Sequence, residues 1–471
     1  MDDSALAFAG IAEQARLLRD REVSSRELVD VYLTRIERFD PQLNAFREVF
    51  ADRARAEAAT ADERIAAGES APLLGVPVAF KDELEIEGHV TRHGTDAYDD
   101  PAAADSEHVR RIRAAGAVTL GVTNLPELAI CGFTETEATG DTRNPWDLRR
   151  TPGGSSGGSG AAVAAGLVGA ASASDGAGSI RIPAALCGLV GLLPQRGRIS
   201  LMPEAEHWYG MSRTGCLTRR VVDTALWLDV AAGPAAGDAH TPPPLVGGTY
   251  VGAATTPPAP LRIGTSVTAP RALLPPVVDP AVEGAVTTVG AVLTGLGHTV
   301  VERTPDYGQV GNDVVALYLR GIRAHHDTVP HPDRLEPRTQ GFARLGRAIP
   351  DRLLRGALAR QASHTERINR VFDDVDVLVT PVTGTPPVEV GRWAGAGALR
   401  TALGMSRVYP FTATWNYTGQ PAIAVPVSTN DAGLPRSVML VGPTDREDLL
   451  LSLAGQLEAA LDWPEHRPPM S

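Results

Sequence analysis

Two serine clusters sit on glycine-rich backbone, Gly153-Gly154-Ser155-Ser156-Gly157-Gly158-Ser159 and Asp175-Gly176-Ala177-Gly178-Ser179, their leading serines 24 positions apart. A serine hydroxyl beside bare backbone N–H groups can act as a nucleophile whose developing oxyanion those groups hold. Glycine suits such a loop because a ligand can approach the main chain closely. Taken alone, the run GGSSGGSG also has the composition of a flexible linker. The apolar stretch Ala161–Ala171 that follows argues instead for a packed unit. Neither G-x-G-x-x-G nor G-x-x-x-x-G-K-[ST] occurs here, so a nucleotide site has no support. One further residue draws attention: Lys81, delivered with Asp82 at the end of the apolar, β-prone run Leu73–Phe80. A lysine so placed is either paired with Asp82 or drawn into chemistry.

The elements that must position these residues alternate along the chain. Residues Ile11–Ala67 read as helical, with a Ser24/Glu27 capping box and Leu28, Tyr32, Leu33, Ile36 and Phe39 on one stripe. Ser106–Ala117 then reads as a helix and Val118–Val122 as a strand, an α/β alternation. Leu125–Gly140 is a loop or short helix carrying Cys131, Phe133 and Glu135. His207, Trp208 and Tyr209 follow in one run that suits either a substrate mouth or the core. Pro, Gly and Ala dominate from Gly233 to Pro260, as in a surface connection. Leu261–Gly264, Asp279–Leu296 and His298–Glu302 continue as strand, helix and strand. Tyr307–Phe372 is arginine-rich and helical. Its adjacent His325 and His326 cannot face one metal on a helix, so they read as structural. Val375–Thr380 and Val438–Val441 are strands and Glu447–Leu461 is a terminal amphipathic helix.

Composition bounds the function. The 471 residues, 43 % hydrophobic and 21 % charged, match a soluble globular enzyme of one large or two to three smaller domains. A net charge of −12 favours solubility and disfavours a nucleic-acid partner, whose phosphates need a basic face. Three scattered cysteines, Cys131, Cys187 and Cys216, form neither a disulfide framework nor a zinc motif and speak for a reducing compartment. The acidic start MDDSALAF does not read as a signal peptide, and no apolar run approaches a membrane span of about 18 residues. A cytoplasmic, membrane-free protein is expected.

The two serine clusters, with Ile180-Arg181-Ile182-Pro183-Ala184, Cys187-Gly188, Gly197-Arg198-Ile199-Ser200 and the G-V-P-x-x-x-K-D run ending at Lys81-Asp82, resemble the amidase signature family. The 24-residue spacing is the one that family keeps between its catalytic serines. The likeness is strong over residues 71–200 and looser over the rest, including Phe411–Val427. It implies an α/β fold in a single domain over 1–471, a large mixed central β-sheet covered by helices on both faces. A helical N-terminal segment at about 1–67 and a variable substrate-cavity region at about 305–372 are expected within it. It assigns Ser179 as nucleophile, Ser155 as bridging serine behind a cis Gly154–Ser155 peptide, and Lys81 as base. A lysine can serve as base only when neutral, so burial has to push its pKa well below the ordinary value of about 10.4.

The same likeness places the oxyanion hole on the N–H groups of Gly176, Ala177, Gly178 and Ser179, and suggests Cys131, Phe133, Trp208 and Tyr209 as substrate-binding. Arg181 reads as a structural ion-pair partner ahead of the alternative in some relatives, a group near a substrate carboxylate. Asp175 reads as the acceptor that ties down the loop, and His207 is disfavoured as a base because Lys81 fills that role. Ala177 stands where relatives commonly carry glycine, and Leu193 and Gln195 where they carry Lys and Thr. The implied activity is hydrolysis of a small-molecule carboxylic amide through an acyl-enzyme, without cofactor or metal, with esters, carbamates or hydrazides as side substrates; a homodimer is left open. Two rivals remain at this level: the amidase subunit of a tRNA-dependent amidotransferase, and a non-catalytic binding protein on the same scaffold.

Overall fold

The computed structural model describes residues 2–271 and 274–470. Eleven strands form one mixed sheet, in the order Phe46–Val49, Val118–Thr123, Pro77–Lys81, Ala170–Asp175, Arg213–Thr218, Val190–Leu193, Ala422–Thr429, Pro435–Val441, Val377–Pro381, Arg262–Thr265 and Thr299–Glu302. Parallel pairs lie toward the two ends, at Pro77–Lys81 and at Arg262–Thr265, and antiparallel pairs fill the middle. Helices cover both faces, which gives the fold the family likeness predicts.

Each strand feeds two cores because successive side chains point to opposite faces. Val78 and Phe80 join one apolar cluster and Ala79 the other; Ile423 and Val425 divide from Ala422 and Ala424 in the same way. The cluster of Val78 and Phe80 also holds Ile11, Trp227 and Leu450, and that of Ala79 holds Tyr32, Phe133, Ala161–Ala165, Phe342 and Trp415. Both faces being covered, the strands read as near-continuous apolar runs.

The N-terminal region differs from its all-helical expectation. Helices span Ile11–Arg19, Ser25–Leu43 and Ala51–Ala66, and the Ser24/Glu27 box is present in full. Between them Phe46–Val49 is an edge strand, antiparallel to Val118–Thr123. Asn44, in the left-handed conformation (φ 52°), ends the preceding helix, and Asp40 accepts from Ala45 N at 2.7 Å. Four residues are too few to show a period of two, so this strand is visible only through its partner. The region read as arginine-rich helix resolves into Val310–His326, Pro337–Arg347 and Asp351–Asn369. No helix among the described residues is long and apolar enough to cross a membrane.

Candidate active site

Lys81 ends its strand with a side chain that is 0 % exposed. Its Nζ lies 2.9 Å from Ser155 Oγ, 2.8 Å from Ser174 Oγ and 3.1 Å from Glu83 Oε1. Burial pushes the Lys81 pKa down, the nearby Glu83 carboxylate and then Asp175 pull it back, and the balance lies below the ordinary lysine value. An ammonium spends one N–H on each of the three neighbours. A neutral amine keeps two donors and one lone pair, and that lone pair can accept the Ser155 hydroxyl proton.

Ser155 follows a cis Gly154–Ser155 peptide. Only glycine fits before it: a Cβ on Gly154 would stand 2.6 Å from Phe133 N and 2.7 Å from Cys131 O. The helix Gly157–Ala164 begins just beyond and is wholly buried against Ala170–Asp175, with Ser159 Oγ donating to Ser172 O at 2.8 Å. Ser172 Oγ in turn accepts the Lys81 backbone N–H at 2.8 Å, so the lysine strand and the serine loop are tied to one neighbour.

Asp175 organises the second cluster. Its carboxylate accepts from Gly178 N at 2.5 Å and Ile180 N at 3.2 Å, from Arg181 Nε at 2.9 Å and Nη2 at 3.0 Å, and from Asn416 Nδ2 at 2.8 Å. Burial pushes its carboxyl up, yet the Arg181 charge and these hydrogen bonds outweigh it and hold the pKa below the usual carboxylate range. Both side chains of the pair are fully buried, as a structural ion pair requires. The expected donor set changes in one respect. Gly178 N–H is spent on Asp175, whereas the N–H groups of Gly176, Ala177 and Ser179 have no acceptor among the described residues. Asp175 turns the loop so that one donor faces inward and its neighbours stay open. Thr412 Oγ1 donates to Ala177 O at 2.6 Å and clamps the loop from the other side.

Ser179 is half-buried, and no hydrogen bond joins its hydroxyl to Ser155 in this structure. The two serines open on different cavities. Ser179 and Ala177 line one of about 210 Å³ whose other walls include Ile130, Val314, Leu319 and Met405. Ser155, Ser174 and Gly176 line another, of about 160 Å³, with Glu83, His93, His207 and His325. Ala129 and Trp208 border both.

The residues expected to bind substrate divide. Cys131 lines the first cavity and Trp208 both. Phe133 does not reach either: it is fully buried, stacked on Trp393 at 4.7 Å between ring centroids with the Arg338 guanidinium 5.2 Å from its ring. Tyr209 borders neither cavity and packs at the edge of the core. Adjacent residues in one run point apart, and here both Trp208 and Tyr209 are left-handed (φ 50° and 56°). His207 Nδ1 is 2.8 Å from Ser212 Oγ and not from a candidate serine. Burial drives the pKa values of His93 to about 3, His325 to about 4 and His207 well below the usual value, so all three are neutral. His325 faces this cavity while His326 lies 3.4 Å from Asp327, the divergence expected of helix neighbours. Among the described residues no group of three or more His, Cys, Asp or Glu side chains is arranged to hold a metal ion.

Sequence reasoning missed Glu83, Ser174, Thr412 and Asn416. A signal existed for Ser174, since Ser172 and Ser174 alternate along a strand beside the lysine. None existed for Thr412 and Asn416, more than 230 residues away from the loop they hold.

Comparison with known proteins agrees with this geometry. The family described as Amidase matches residues 27–451. "Putative amidase AmiB2" of Mycobacterium tuberculosis is 49 % identical over 473 aligned positions, covering 100 % of both chains. The 6-aminohexanoate-cyclic-dimer hydrolase of Paenarthrobacter ureafaciens is 33 % identical over 97 % of this chain and 96 % of its own. A solved structure of 6-aminohexanoate cyclic dimer hydrolase complexed with substrate superposes with a TM-score of 0.90 at 32 % identity, covering 98 % of this chain and 99 % of that one. A bacterial aryl acylamidase of the amidase signature enzymes superposes with a TM-score of 0.84 at 26 % identity, over 98 % and 99 %. With the family matched along nearly its whole length and the sheet shared with solved members, the chain belongs to the amidase signature family and is a hydrolase of carbon–nitrogen amide bonds.

Proposed function

We propose that Ser179, Ser155 and Lys81 form a Ser–cis-Ser–Lys triad that hydrolyses a small-molecule carboxylic amide through an acyl-enzyme on Ser179. The observation that carries this reading is the fully buried Lys81 amine, 2.9 Å from Ser155 Oγ and biased toward its neutral form. Neutral Lys81 takes the Ser155 proton while Ser155 takes that of Ser179, and Ser179 Oγ attacks the amide carbon. The carbonyl oxygen gains the charge and is met by the open N–H groups of Gly176, Ala177 and Ser179, each well-aimed donor contributing about 3 kcal/mol. The C–N bond then breaks, its electron pair stays on nitrogen, and Ser155 supplies the proton. Water repeats the sequence on the ester. Esters and carbamates present the same electrophile and are side substrates on this reading. The relatives' names make a cyclic amide and an aryl acylamide reasonable first probes.

The test is intact-mass and peptide mapping after fluorophosphonate exposure of wild type, Ser179→Ala and Lys81→Ala, alongside an amide panel. One adduct on Ser179, absent in the first variant and much slower in the second, is expected. An adduct on another serine, or folded protein that neither labels nor hydrolyses any amide, overturns the assignment.

A further inference from the structure

The two cavities that meet at the serines differ in kind. Every side chain lining the 210 Å³ cavity is uncharged, and most of them are aliphatic or aromatic, from Ile130 and Ile182 to Val315, Leu345 and Met405. Leu399, 58 % exposed, stands at its rim. The 160 Å³ cavity carries the carboxylates of Glu83, Glu85 and Glu204, the guanidinium of Arg213 and neutral histidines. Glu83 is engaged with Lys81, and Arg213 donates to the carbonyls of Trp415 and Asn416 at 3.2 and 2.8 Å. The side-chain carboxyls of Glu85 and Glu204 have no hydrogen-bond or ion-pair partner among the described residues, both residues bonding through backbone alone.

Resting on the triad reading above, we propose that the substrate lies across both chambers, an uncharged apolar acyl group in the 210 Å³ cavity and the departing amine in the 160 Å³ polar one. The serines themselves assign the halves. Ser179 must bond to the acyl carbon, and it opens only on the apolar cavity. Ser155 must hand its proton to the departing nitrogen, and it opens only on the polar one. Trp208 and Ala129, shared by both, stand where the amide bond crosses.

The chemistry of the walls then names the substrate class. An apolar cavity of about 150 Å³ holds a benzene ring, so this one takes a benzoyl group or an alkyl chain of comparable length. A charge on that half has no partner and loses its hydration. On the amine side, ammonia or a small polar amine fits, and a second positive charge meets carboxylates rather than hydrocarbon. The class is therefore a neutral, medium-sized apolar acid joined to a small polar or cationic amine.

The experiment measures kcat/KM on wild type, Val315→Phe and Leu201→Trp for acetamide, hexanamide, 6-aminohexanamide, N-propylhexanamide and N-(2-aminoethyl)hexanamide. Val315 and Leu201 each line one cavity and are partly exposed, which leaves room for the larger side chain. Ala402→Leu, in the apolar wall, stands in should Val315→Phe fail to fold. On wild type, hexanamide should exceed acetamide at least tenfold, given a ceiling of about fourfold per buried methylene. An ammonium at the end of the acyl chain should cost at least tenfold, whereas one on the amine half should cost nothing relative to N-propylhexanamide. Val315→Phe should shrink the hexanamide-to-acetamide ratio, and Leu201→Trp should shrink the ratio of N-(2-aminoethyl)hexanamide to hexanamide. Crossed responses, with Val315→Phe acting on the amine series and Leu201→Trp on the acyl series, overturn the assignment, as does an acyl-end ammonium that is tolerated. Failure of the triad reading looks different: no amide is turned over by folded wild type, or Ser179→Ala retains activity.

Discussion

The serine–lysine centre and the wall of the apolar cavity are built on opposite principles. The centre is polar, closed and over-determined: one carboxylate, Asp175, holds three backbone N–H groups, both arms of Arg181 and the Asn416 amide, while glycines at 154 and 178 leave no room for a side chain. The wall, drawn from the helices Val310–His326, Pro337–Arg347 and Ala398–Val408, is apolar, partly open and held mainly by packing, with the Tyr318 hydroxyl donating to Ile130 O. Hydrogen bonds and buried charge demand exact partners, whereas apolar contact tolerates any filling of about the right volume. The difference separates what fixes the reaction from what selects the molecule.

Four measurements test that contrast. The largest effect is expected at the centre: Ser179→Ala and Lys81→Ala should each lower kcat/KM by about 10⁴-fold or more with the fold intact by circular dichroism, as happens when one member of a cooperating catalytic set is removed. Retention of a tenth of the activity in either would dissolve the distinction. Next in size is the buried pair: Asp175→Asn strands the Arg181 guanidinium and should cost about 3–5 kcal/mol in urea unfolding, with loss of activity. A cost under about 1 kcal/mol would show the loop to be held by other means.

The pH profile comes third. On the proposed triad, in which the neutral lysine is the working form, kcat/KM should climb about tenfold per pH unit on the acid side and level off as Lys81 loses its proton, at a pH below the ordinary lysine value of about 10.4. A profile flat from pH 5 to 9, with chemistry limiting the rate, counts against a lysine base. The smallest effect belongs to the wall. Leu345→Ala should raise KM for a hexanoyl amide several-fold, leave kcat nearly unchanged and cost about 1–2 kcal/mol of stability, since the residue is only half-buried. A fall in kcat matching that of the triad variants would mean that the wall positions the reacting bond as well.

Much of the centre is legible in the chain itself. Local runs carry the strand before Lys81, the glycines around Ser155 and the loop from Asp175 to Arg181, because their physics is short-range: turn conformation, alternation and capping. The edge strand Phe46–Val49 was not legible, for it is defined by hydrogen bonds to Val118–Thr123 and not by a period of its own. Nor could the run His207-Trp208-Tyr209 say which of its rings meets a cavity. Two left-handed residues decide that, sending Trp208 between the chambers and Tyr209 to the edge of the core.

Residue order alone thus determined the family, the sheet of near-continuous apolar strands, and the segments that carry Lys81, Ser155 and Ser179, the three groups of the proposed triad. Folding settles the rest: which N–H groups stay open, that Glu83 and Ser174 share the lysine, that Phe133 is core, and that each serine faces its own chamber. The reason is distance along the chain. Thr412 and Asn416 reach the loop at Asp175–Ser179 across more than 230 residues, the helices from Val310 onward wall the cavity on which Ser179 opens, and no local pattern records a neighbour that folding alone creates.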